Sequence, residues 1–410
     1  MKCGLLGRSL KHSYSKIIHA KLGGYDYDLY EIEPYALKDF VKEKSLSCYN
    51  VTIPYKTDIM PFLDDIDDKA RDIGAVNTVV DKNGYLYGYN TDYYGMTYMI
   101  LSSGVSIQNL SVMILGNGAT SKTARSVCRD LGAKDIIIVS RTGEVNYQNC
   151  YLYCPDIILN TTPVGTYPNS LESPIDLEKF NGVKAVFDVV YNPLKTALTF
   201  SAEKLNIKAV NGLKMLVAQA KYARDLFLGS EKISPNYPDK LIEKITAEIV
   251  KETQNIVLIG MPGSGKSTVG RELAKRLNKK FIDIDAEIEL SAGLEISEIF
   301  SKYGEDKFRE IESQVVKKLS NERNAVIATG GGVIKRKENE MPLKLNGVVV
   351  WIKRDLELLS TFNRPLSKTV GVENLYNERK VLYESFSQIT VTNDKKYLDT
   401  VKEIIEKCEY

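Results

Sequence analysis

The segment "GMPGSGKS", from Gly260 to Ser267, constrains the fold of this chain more than any other. It fits the pattern G-x-x-x-x-G-K-[ST], and it stands between the apolar run "NIVLI" and the helical pattern "STVGRELAKRL". In such a strand–loop–helix unit, backbone N–H groups and the helix N-terminus face phosphate oxygens. We expect Lys266 to reach the β- and γ-phosphates of a nucleotide and Ser267 to ligate Mg²⁺. Other phosphate contacts are expected from Gly263, Ser264, Gly265 and Thr268.

This motif begins late in a chain of 410 residues, which is too long for one ordinary core. The charges almost balance, with 55 basic and 53 acidic residues, and therefore do not favour a nucleic-acid or membrane partner. No apolar run reaches the roughly 18 residues of a spanning helix, and the first residues lack an apolar signal core. We expect a cytosolic protein that acts on small molecules, and the sequence leaves a homo-oligomer open.

Cysteine and histidine usage narrows the chemistry. The six cysteines are scattered, and reduced, mostly buried thiols fit them better than a metal site. The chain has only two histidines, His12 and His19. Lysine and carboxylate side chains are therefore expected to carry any acid–base work.

Apolar runs alternate with amphipathic stretches, which predicts parallel α/β layers. The turn Lys82-Asn83-Gly84 lies between two strand-like runs and predicts a hairpin. Strands are predicted at 2–7, 27–32, 46–51, 110–116, 135–140, 156–162 and 184–190. Helices are predicted at about 15–23, 92–102, 119–131, 195–204, 211–228 and 239–252. We place a domain boundary near 250–254.

Further motifs follow the phosphate loop. Asp283 and Asp285 end the next strand, where one could hold Mg²⁺ through water and the other a substrate hydroxyl, although a solvated helix start is the alternative. Arg309 and Glu312 stand at i, i+3 in "DKFREIES", the spacing of a surface ion pair. Three glycines in "ATGGGVI" predict a close approach of backbone to ligand. Arginines in "FNRPL" and "LYNERKVLY" suit a mobile lid.

Together these motifs resemble shikimate kinase, a P-loop α/β/α enzyme of the nucleoside-monophosphate-kinase type, over about 255–410. The resemblance implies that Asp285 orients or deprotonates the attacking hydroxyl, that Asp283 belongs with the metal, and that Arg364 closes on phosphate. Its implied shikimate contacts are Asp285, Arg309, Gly331 and Arg379, with both arginines on the carboxylate.

The stretch "LGNGATSKTA" in the first half reads as strand, glycine turn and helix. Gly116 and Gly118 match the first two glycines of G-x-G-x-x-G, which by itself is a weak dinucleotide signal. The next strand ends in Arg141 rather than in an acidic residue, and Lys122 adds a second cation. These cations favour NADP over NAD.

Small polar residues complete the pattern: Ser13 and Ser15 in "GRSLKHSYS", Asn50, Thr52 and Lys56 in "YNVTIPYK", Asn77 in "GAVNTV", and Thr91 and Asp92 in "GYNTDYYG". Each has an ordinary explanation as a turn hydroxyl, a helix cap or a solvated lysine. As a set they suit a polyhydroxylated ring. If the first segment is extended, both serine hydroxyls face the same way.

These residues resemble shikimate dehydrogenase over essentially all of 1–250, and "NTTPVGTYP", "FDVVYNPLKT" and "GLKMLVAQA" agree. The resemblance implies a two-lobed enzyme: a substrate domain of 1–95 completed by helices from 216–250, and a Rossmann-type domain of 96–215. It places 251–254 as a linker and 255–410 as the kinase. Substrate would lie in the cleft between the two lobes.

The resemblance also implies residue roles. Lys56 and Asp92 form the catalytic pair, and Ser13 and Ser15 bind the carboxylate. Ring-hydroxyl contacts are implied for Asn50, Thr52, Asn77, Thr91, Asp92 and Gln219, with Tyr191 near the cleft. Cofactor contacts are implied for Gly116, Gly118, Ala119, Ser140, Arg141, Thr142 and Gly212. The family often has other residues at Lys16, Ala119, Ser140 and Thr166.

We therefore expect two consecutive enzymes in one chain, which use NADPH, ATP and Mg²⁺ to convert 3-dehydroshikimate to shikimate and then to shikimate 3-phosphate. A non-catalytic sensor of pathway intermediates built on the same folds is one alternative. An NAD-linked quinate/shikimate dehydrogenase fused to a kinase is another.

Overall fold

The computed structural model describes residues 1–10, 13–235, 237–359 and 372–410. The chain divides into two compact units. The first unit contains residues 1–166, 172–192 and 198–248, and the second contains residues 167–171, 193–197 and 249–410.

Helices longer than one turn are numbered α1 to α14 in chain order through the described residues. Their bounds are α1 Ser15–Leu22, α2 Leu37–Glu43, α3 Asp68–Ile73, α4 Thr91–Ser102, α5 Ala119–Asp130, α6 Ala197–Lys204, α7 Leu213–Phe227, α8 Lys240–Thr253, α9 Lys266–Leu277, α10 Ile284–Ala292, α11 Ile296–Leu319, α12 Glu340–Lys344, α13 Val372–Phe386 and α14 Tyr397–Lys407. Helix α11 is broken at Gly304, where φ is 81°.

The first unit begins with a mixed sheet of order β2-β1-β3-β5-β6-β4. Its strands are β1 Lys2–Gly7, β2 Asp26–Glu31, β3 Cys48–Val51, β4 Asp65–Ile66, β5 Thr78–Lys82 and β6 Tyr85–Tyr89. Strands β5 and β6 form the predicted hairpin, and its two turn residues have positive φ, 58° at Asn83 and 89° at Gly84. Positive φ at both turn positions matches the twist of a two-residue hairpin. Strand β4 and helices α2 and α3 were not predicted, because they are short and carry little periodicity.

The second sheet of this unit is entirely parallel, in the order β11-β10-β9-β7-β8. Its strands are β7 Ser111–Leu115, β8 Asp135–Val139, β9 Ile157–Asn160, β10 Ala185–Asp188 and β11 Lys208–Val210. Strands β7, β9 and β10 are buried almost along their whole length, as expected for parallel strands covered on both faces.

The second unit has one parallel sheet of order β13-β14-β12-β15-β16. Its strands are β12 Asn255–Ile259, β13 Lys280–Asp283, β14 Ala325–Ala328, β15 Gly347–Lys353 and β16 Ile389–Thr392. Strand β12, which leads into the glycine loop, pairs with both β14 and β15 and is therefore central. A central strand brings the loop to the carboxyl edge of the sheet, where ligands of open α/β sheets bind. The predicted α/β architecture with parallel sheets is confirmed.

All six cysteines lie in described ranges and carry free thiols. Across the described residues, no helix is long and apolar enough to cross a membrane. Within those same ranges no cluster of three or more histidine, cysteine or acidic side chains could hold a metal ion.

Candidate active sites

The first unit contains a cavity of about 770 Å³. Its lining includes most of the polar residues singled out in the sequence, together with Gly212: Ser13, Ser15, Asn50, Thr52, Lys56, Asn77, Asp92, Tyr191 and Gln219. Some of these residues are more than 200 positions apart in the sequence, and the fold brings them together around one cavity. The volume lies in the range of small-molecule sites.

Lys56 and Asp92 form an ion pair inside this cavity. The Lys56 ammonium donates to the Asp92 carboxylate at 2.5 Å, and only 13% and 10% of the two side chains is exposed. Lys56 follows β3, whereas Asp92 lies in the first turn of α4, where the side chain of Asn90 caps the helix by accepting from the Tyr93 N–H. A largely buried ammonium held by one carboxylate can donate a proton to, or stabilise, an oxygen that gains charge.

A buried network of amides and hydroxyls stands beside this pair. The Asn77 side chain accepts from the Thr91 N–H at 2.6 Å and donates to the Thr91 hydroxyl at 3.0 Å. The same hydroxyl lies 3.4 Å from Gln219 Oε1. Thr91 is not part of the cavity lining and contacts the site through Asn77 and Gln219.

Ser13 and Ser15 lie together at the cavity, with their hydroxyls 3.0 Å apart. Ser15 is the first residue of α1, in agreement with the helix predicted at about 15–23, so the condition of an extended segment is not met at Ser15. The Ser15 N–H donates to the Ser13 hydroxyl at 3.2 Å. A turn that leads into a helix, rather than an extended strand, brings the two hydroxyls to one side.

The glycine turn after β7 connects this strand to helix α5. Gly116 has φ of 106°, and a Cβ there would lie 2.9 Å from the Thr161 hydroxyl. Gly118 precedes the first residue of α5, Ala119, and no acidic residue occupies the first turn. The helix N-terminus is therefore open to an anion.

Residues predicted to select the cofactor follow β8. Ser140 is buried, whereas Arg141, Thr142 and the α5 residue Lys122 are exposed. Gly212 lines the cavity, and a Cβ there would lie 2.0 Å from the Val189 carbonyl oxygen. Only glycine fits at this contact between two chain segments.

In the second unit, the loop between β12 and α9 surrounds Lys266. Gly263 and Gly265 have φ of 90° and 94°, conformations that favour glycine. The Lys266 ammonium donates to the carbonyl oxygens of Gly260 at 2.9 Å and Met261 at 3.0 Å. These two bonds hold the Lys266 ammonium against the loop.

Two oxygen ligands for a cation lie next to this loop. The Ser267 hydroxyl donates to the Asp283 carboxylate at 2.8 Å. Hydroxyl and carboxylate oxygens are the donors that Mg²⁺ prefers. Thr268 lines a second cavity of about 350 Å³, together with Gly265, Arg354 and Asn393. Asn393 donates to the Ser264 carbonyl at 2.8 Å and so fixes one wall of that cavity to the loop.

The half-buried Asp285 and the buried Arg309 and Glu312 form a charged group near the triple glycine. Arg309 donates to Glu312 at 2.8 Å and to Glu305 at 3.2 Å. Burial by itself lowers the pKa of Arg309, but these two glutamates outweigh burial and raise it. Burial, reinforced by the carboxylate of Asp283, raises the pKa of Asp285, which makes Asp285 a better proton acceptor once ionised.

Arg379 is a second buried cation at this site. Its Nη1 donates to the Gly331 carbonyl at 3.0 Å, while Nε and Nη2 are buried with no hydrogen-bond partner in the described part of the chain. A buried guanidinium with two unpaired donors is costly unless a ligand completes it. A carboxylate would match both donors. Arg364 lies outside the described residues.

Sequence reasoning did not assign four residues that the fold adds to these sites. Tyr27 and Thr78 bond to the asparagines of the first cavity. The prediction of a surface ion pair is wrong for Glu312, which is buried beside Arg309; burial raises the pKa of Glu312, although Arg309 opposes the shift. The hydroxyl of Tyr383 donates to the Gly331 carbonyl. In the sequence, the signal for Tyr383 is an aromatic residue four positions after Arg379.

The folds and these sites define two nucleotide-dependent enzyme units: a two-sheet α/β unit with a dinucleotide-type glycine turn, and a P-loop kinase-type unit. Family models agree with this division. The shikimate dehydrogenase substrate binding domain matches residues 5–79, and shikimate kinase matches residues 262–409.

A shikimate dehydrogenase (NADP(+)) from Caldicellulosiruptor bescii is 38% identical over 265 residues, covering 58% of this chain and 92% of the relative. A solved chorismate mutase/shikimate 5-dehydrogenase fusion protein from Clostridium acetobutylicum is 34% identical, with a TM-score of 0.57 over 60% of this chain and 96% of the other. Shikimate 5-dehydrogenase from Thermus thermophilus, solved with NADP(H) and shikimate, is 27% identical, with a TM-score of 0.53 over 60% and 99%. The chain belongs to the shikimate dehydrogenase family, and it carries a shikimate kinase domain after that part.

Proposed function

We propose that this chain catalyses two consecutive reactions of chorismate biosynthesis. The first unit reduces 3-dehydroshikimate to shikimate with NADPH, and the second phosphorylates shikimate with ATP to give shikimate 3-phosphate. The observation that carries the proposal is the buried Lys56–Asp92 pair beside the polar cavity. In the second unit, the corresponding observations are the phosphate loop around Lys266 and the Arg379 guanidinium, which has two buried nitrogens without a hydrogen-bond partner among the described residues.

In the reduction, the hydride for the ketone carbon of the substrate would come from NADPH when it is bound. Lys56 donates the proton that the ketone oxygen needs, so that a C–H and an O–H bond replace the C=O double bond. Asp92 orients the ammonium through their ion pair. Ser13 and Ser15 offer hydroxyls to the carboxylate, while Arg141 beyond β8 supports a cofactor with a 2′-phosphate.

In the phosphorylation, Arg309 and Arg379 hold the carboxylate of shikimate, and Asp285 accepts the proton of the attacking hydroxyl. Lys266 and the loop N–H groups neutralise the transferred phosphoryl group. Ser267 and Asp283 would hold Mg²⁺, which would supply positive charge to neutralise the phosphates when bound. Phosphoryl transfer depends mainly on such positioning and charge neutralisation.

Two substitutions test both roles in one chain. Lys56→Ala is expected to lower NADPH oxidation with 3-dehydroshikimate about 10²- to 10⁴-fold, the usual contribution of a positioned acid, while ATP-dependent phosphorylation of shikimate continues. Lys266→Ala is expected to give the converse result. Both activities are measured in each purified variant, by NADPH absorbance and by ADP release.

Matched controls are Lys38→Ala on α2 and Lys275→Ala on α9, both at exposed lysines. A folded wild-type chain that binds these ligands but turns over neither would indicate the sensor instead. Turnover with NADH that equals turnover with NADPH would indicate the NAD-linked dehydrogenase.

A further inference from the structure

Thr78 is a fully buried polar residue that the proposed reaction does not use. It is the first residue of β5 and stands directly opposite Asn50 of β3 in the antiparallel register. Its chain neighbour is Asn77. Its hydroxyl therefore lies behind the two asparagines that line the cavity.

Three polar side chains converge on the Thr78 hydroxyl. Asn50 Nδ2 lies 3.0 Å away, Asn77 Oδ1 3.1 Å, and Thr91 Oγ1 3.0 Å. The hydroxyl accepts from Asn50 and has one proton to give. That proton goes to Asn77 or to Thr91, so Thr78 links both asparagines in one network.

The orientation of the Asn50 amide is fixed by its other neighbours. Its Nδ2 faces the Asn77 carbonyl oxygen at 3.4 Å, an atom that can only accept. Its Oδ1 accepts from the Tyr27 hydroxyl at 2.8 Å. Both Asn50 N–H groups therefore point into the protein, and Oδ1, which also interacts with the His19 ring, is the polar atom of Asn50 that remains for a ligand.

The side-chain amide of Asn77 has the opposite orientation. Its Oδ1 faces the backbone N–H of Thr91, which can only donate, at 2.6 Å. One N–H of its Nδ2 goes to the Thr91 hydroxyl at 3.0 Å. The remaining N–H is the hydrogen-bonding group that Asn77 offers to a ligand.

We propose that Thr78 and Tyr27 are positioning residues that make Asn50 an acceptor toward the cavity, whereas Thr91 holds Asn77 as a donor, and that this difference in polarity selects the orientation of the substrate. A ketone oxygen accepts but cannot donate. It is therefore disfavoured beside Asn50 and favoured beside Asn77 and the Lys56 ammonium, while a hydroxyl that donates belongs beside Asn50. The inference rests on the proposed reduction of a hydroxylated cyclic ketone.

The main test is a double-mutant cycle on the full-length chain. Thr78→Val keeps the side-chain shape and removes the hydroxyl, and we expect kcat/KM for 3-dehydroshikimate to fall about 10- to 100-fold. In an Asn50→Ala background the same substitution should cost less than about threefold, because Thr78 acts through Asn50. Thr78→Ser should recover activity to within a few-fold of wild type.

Additive losses in the cycle, or a Thr78→Val enzyme equal to wild type, would overturn the inference. A wild-type chain that does not reduce 3-dehydroshikimate would instead contradict the proposed function, so the two failures are distinguishable. Phosphorylation of shikimate by the same variants reports on the second unit and should not change.

A second pair of variants covers the case in which Thr78→Val does not fold. Tyr27→Phe removes the donor to Asn50 and should lower kcat/KM for the ketone about tenfold. Tyr49→Phe is the matched control, since Tyr49 precedes Asn50 on β3 and its buried hydroxyl has no partner within the described ranges. Equal effects of the two substitutions would contradict the positioning role.

Discussion

Arg309 and Arg379 are paired with different partners in the second unit. Arg309 is neutralised by Glu312 and Glu305, whereas Arg379 donates through Nη1 to the Gly331 carbonyl oxygen, and its Nε and Nη2 have no hydrogen-bond partner among the described residues. Removing one partner of a buried charged pair usually costs more than the pair contributes. Arg309 is thus held firmly in place, and Arg379 has donors left for a ligand.

Gly332 protects the position of Arg309. A Cβ at this residue would lie 2.2 Å from Nη2 of Arg309, although φ of −111° would accept alanine. We expect Gly332→Ala to displace the guanidinium and to raise KM for shikimate about tenfold or more. Steady-state kinetics of phosphorylation measure this effect.

The KM for ATP and the dehydrogenase activity serve as internal controls for Gly332→Ala. An unchanged KM for shikimate would show that Arg309 does not contact the substrate. Loss of both activities would indicate misfolding instead, and thermal unfolding separates the two outcomes.

At the scale of elements, helices α4 and α7 determine the shape of the first cavity. Gly95 of α4 allows α7 to approach closely, since a Cβ would lie 2.6 Å from the Met215 carbonyl and 2.9 Å from Gln219 Cβ. Met215 and Gln219 both line the cavity. The spacing between the helices therefore sets where Gln219 meets the substrate.

We expect Gly95→Ala to push α7 away from α4 and to cost about 1–3 kcal/mol in the free energy of unfolding, the usual penalty of overpacking. KM for 3-dehydroshikimate should rise with it, because Gln219 moves. Urea denaturation and dehydrogenase kinetics measure both quantities. Ser102→Ala, at the C-terminal end of the same helix, should change neither; a Gly95→Ala variant with wild-type KM would contradict the helix-spacing argument.

Most elements could be predicted from periodicity and glycine turns. The hairpin around Asn83 and Gly84 and the strand–loop–helix at Gly260 are local patterns, so they are visible in sequence. Helices α2 and α3 and strand β4 are short, and tertiary packing rather than local preference determines them. The roles predicted for individual site residues stay predictions.

At the scale of the whole molecule, the first unit joins distant parts of the chain in one core. Cys3, Leu5 and Tyr27 pack with Ala223, Leu226 and Phe227 of α7. His19 stacks on Tyr27, with ring centroids 3.8 Å apart, and its Nδ1 bonds to the Tyr25 hydroxyl. Burial lowers the pKa of His19 to about 3, so this histidine is neutral in the folded protein.

This shift predicts a pH dependence of stability. The unfolded chain takes up a proton at His19 near pH 6.5, whereas the folded chain does so only near pH 3. The contribution of His19 to the free energy of unfolding is therefore fully present above pH 6.5, and it decreases as the pH falls from 6.5 towards 3. Between pH 7 and pH 5 the loss of unfolding free energy from this residue is up to about 2 kcal/mol.

His19→Gln removes the titrating group and should flatten this dependence. The measurement is the urea midpoint for loss of dehydrogenase activity at pH 7 and pH 5, compared with wild type. The chain has only one other histidine, His12, so His12→Gln is the matched control. Equal pH dependence in wild type and His19→Gln would contradict a neutral, buried His19.

The sequence by itself determined the α/β class, the phosphate loop at Gly260–Ser267 and the family of each part, because these features depend on short contiguous patterns. Only the tertiary structure decided which polar atoms remain available to a ligand. Asn50 and Asn77 are the same residue type, yet Tyr27, Thr78 and the Thr91 N–H orient their amides in opposite ways. Hydrogen-bond donors and acceptors from distant segments set that polarity, and no local pattern in the chain encodes it.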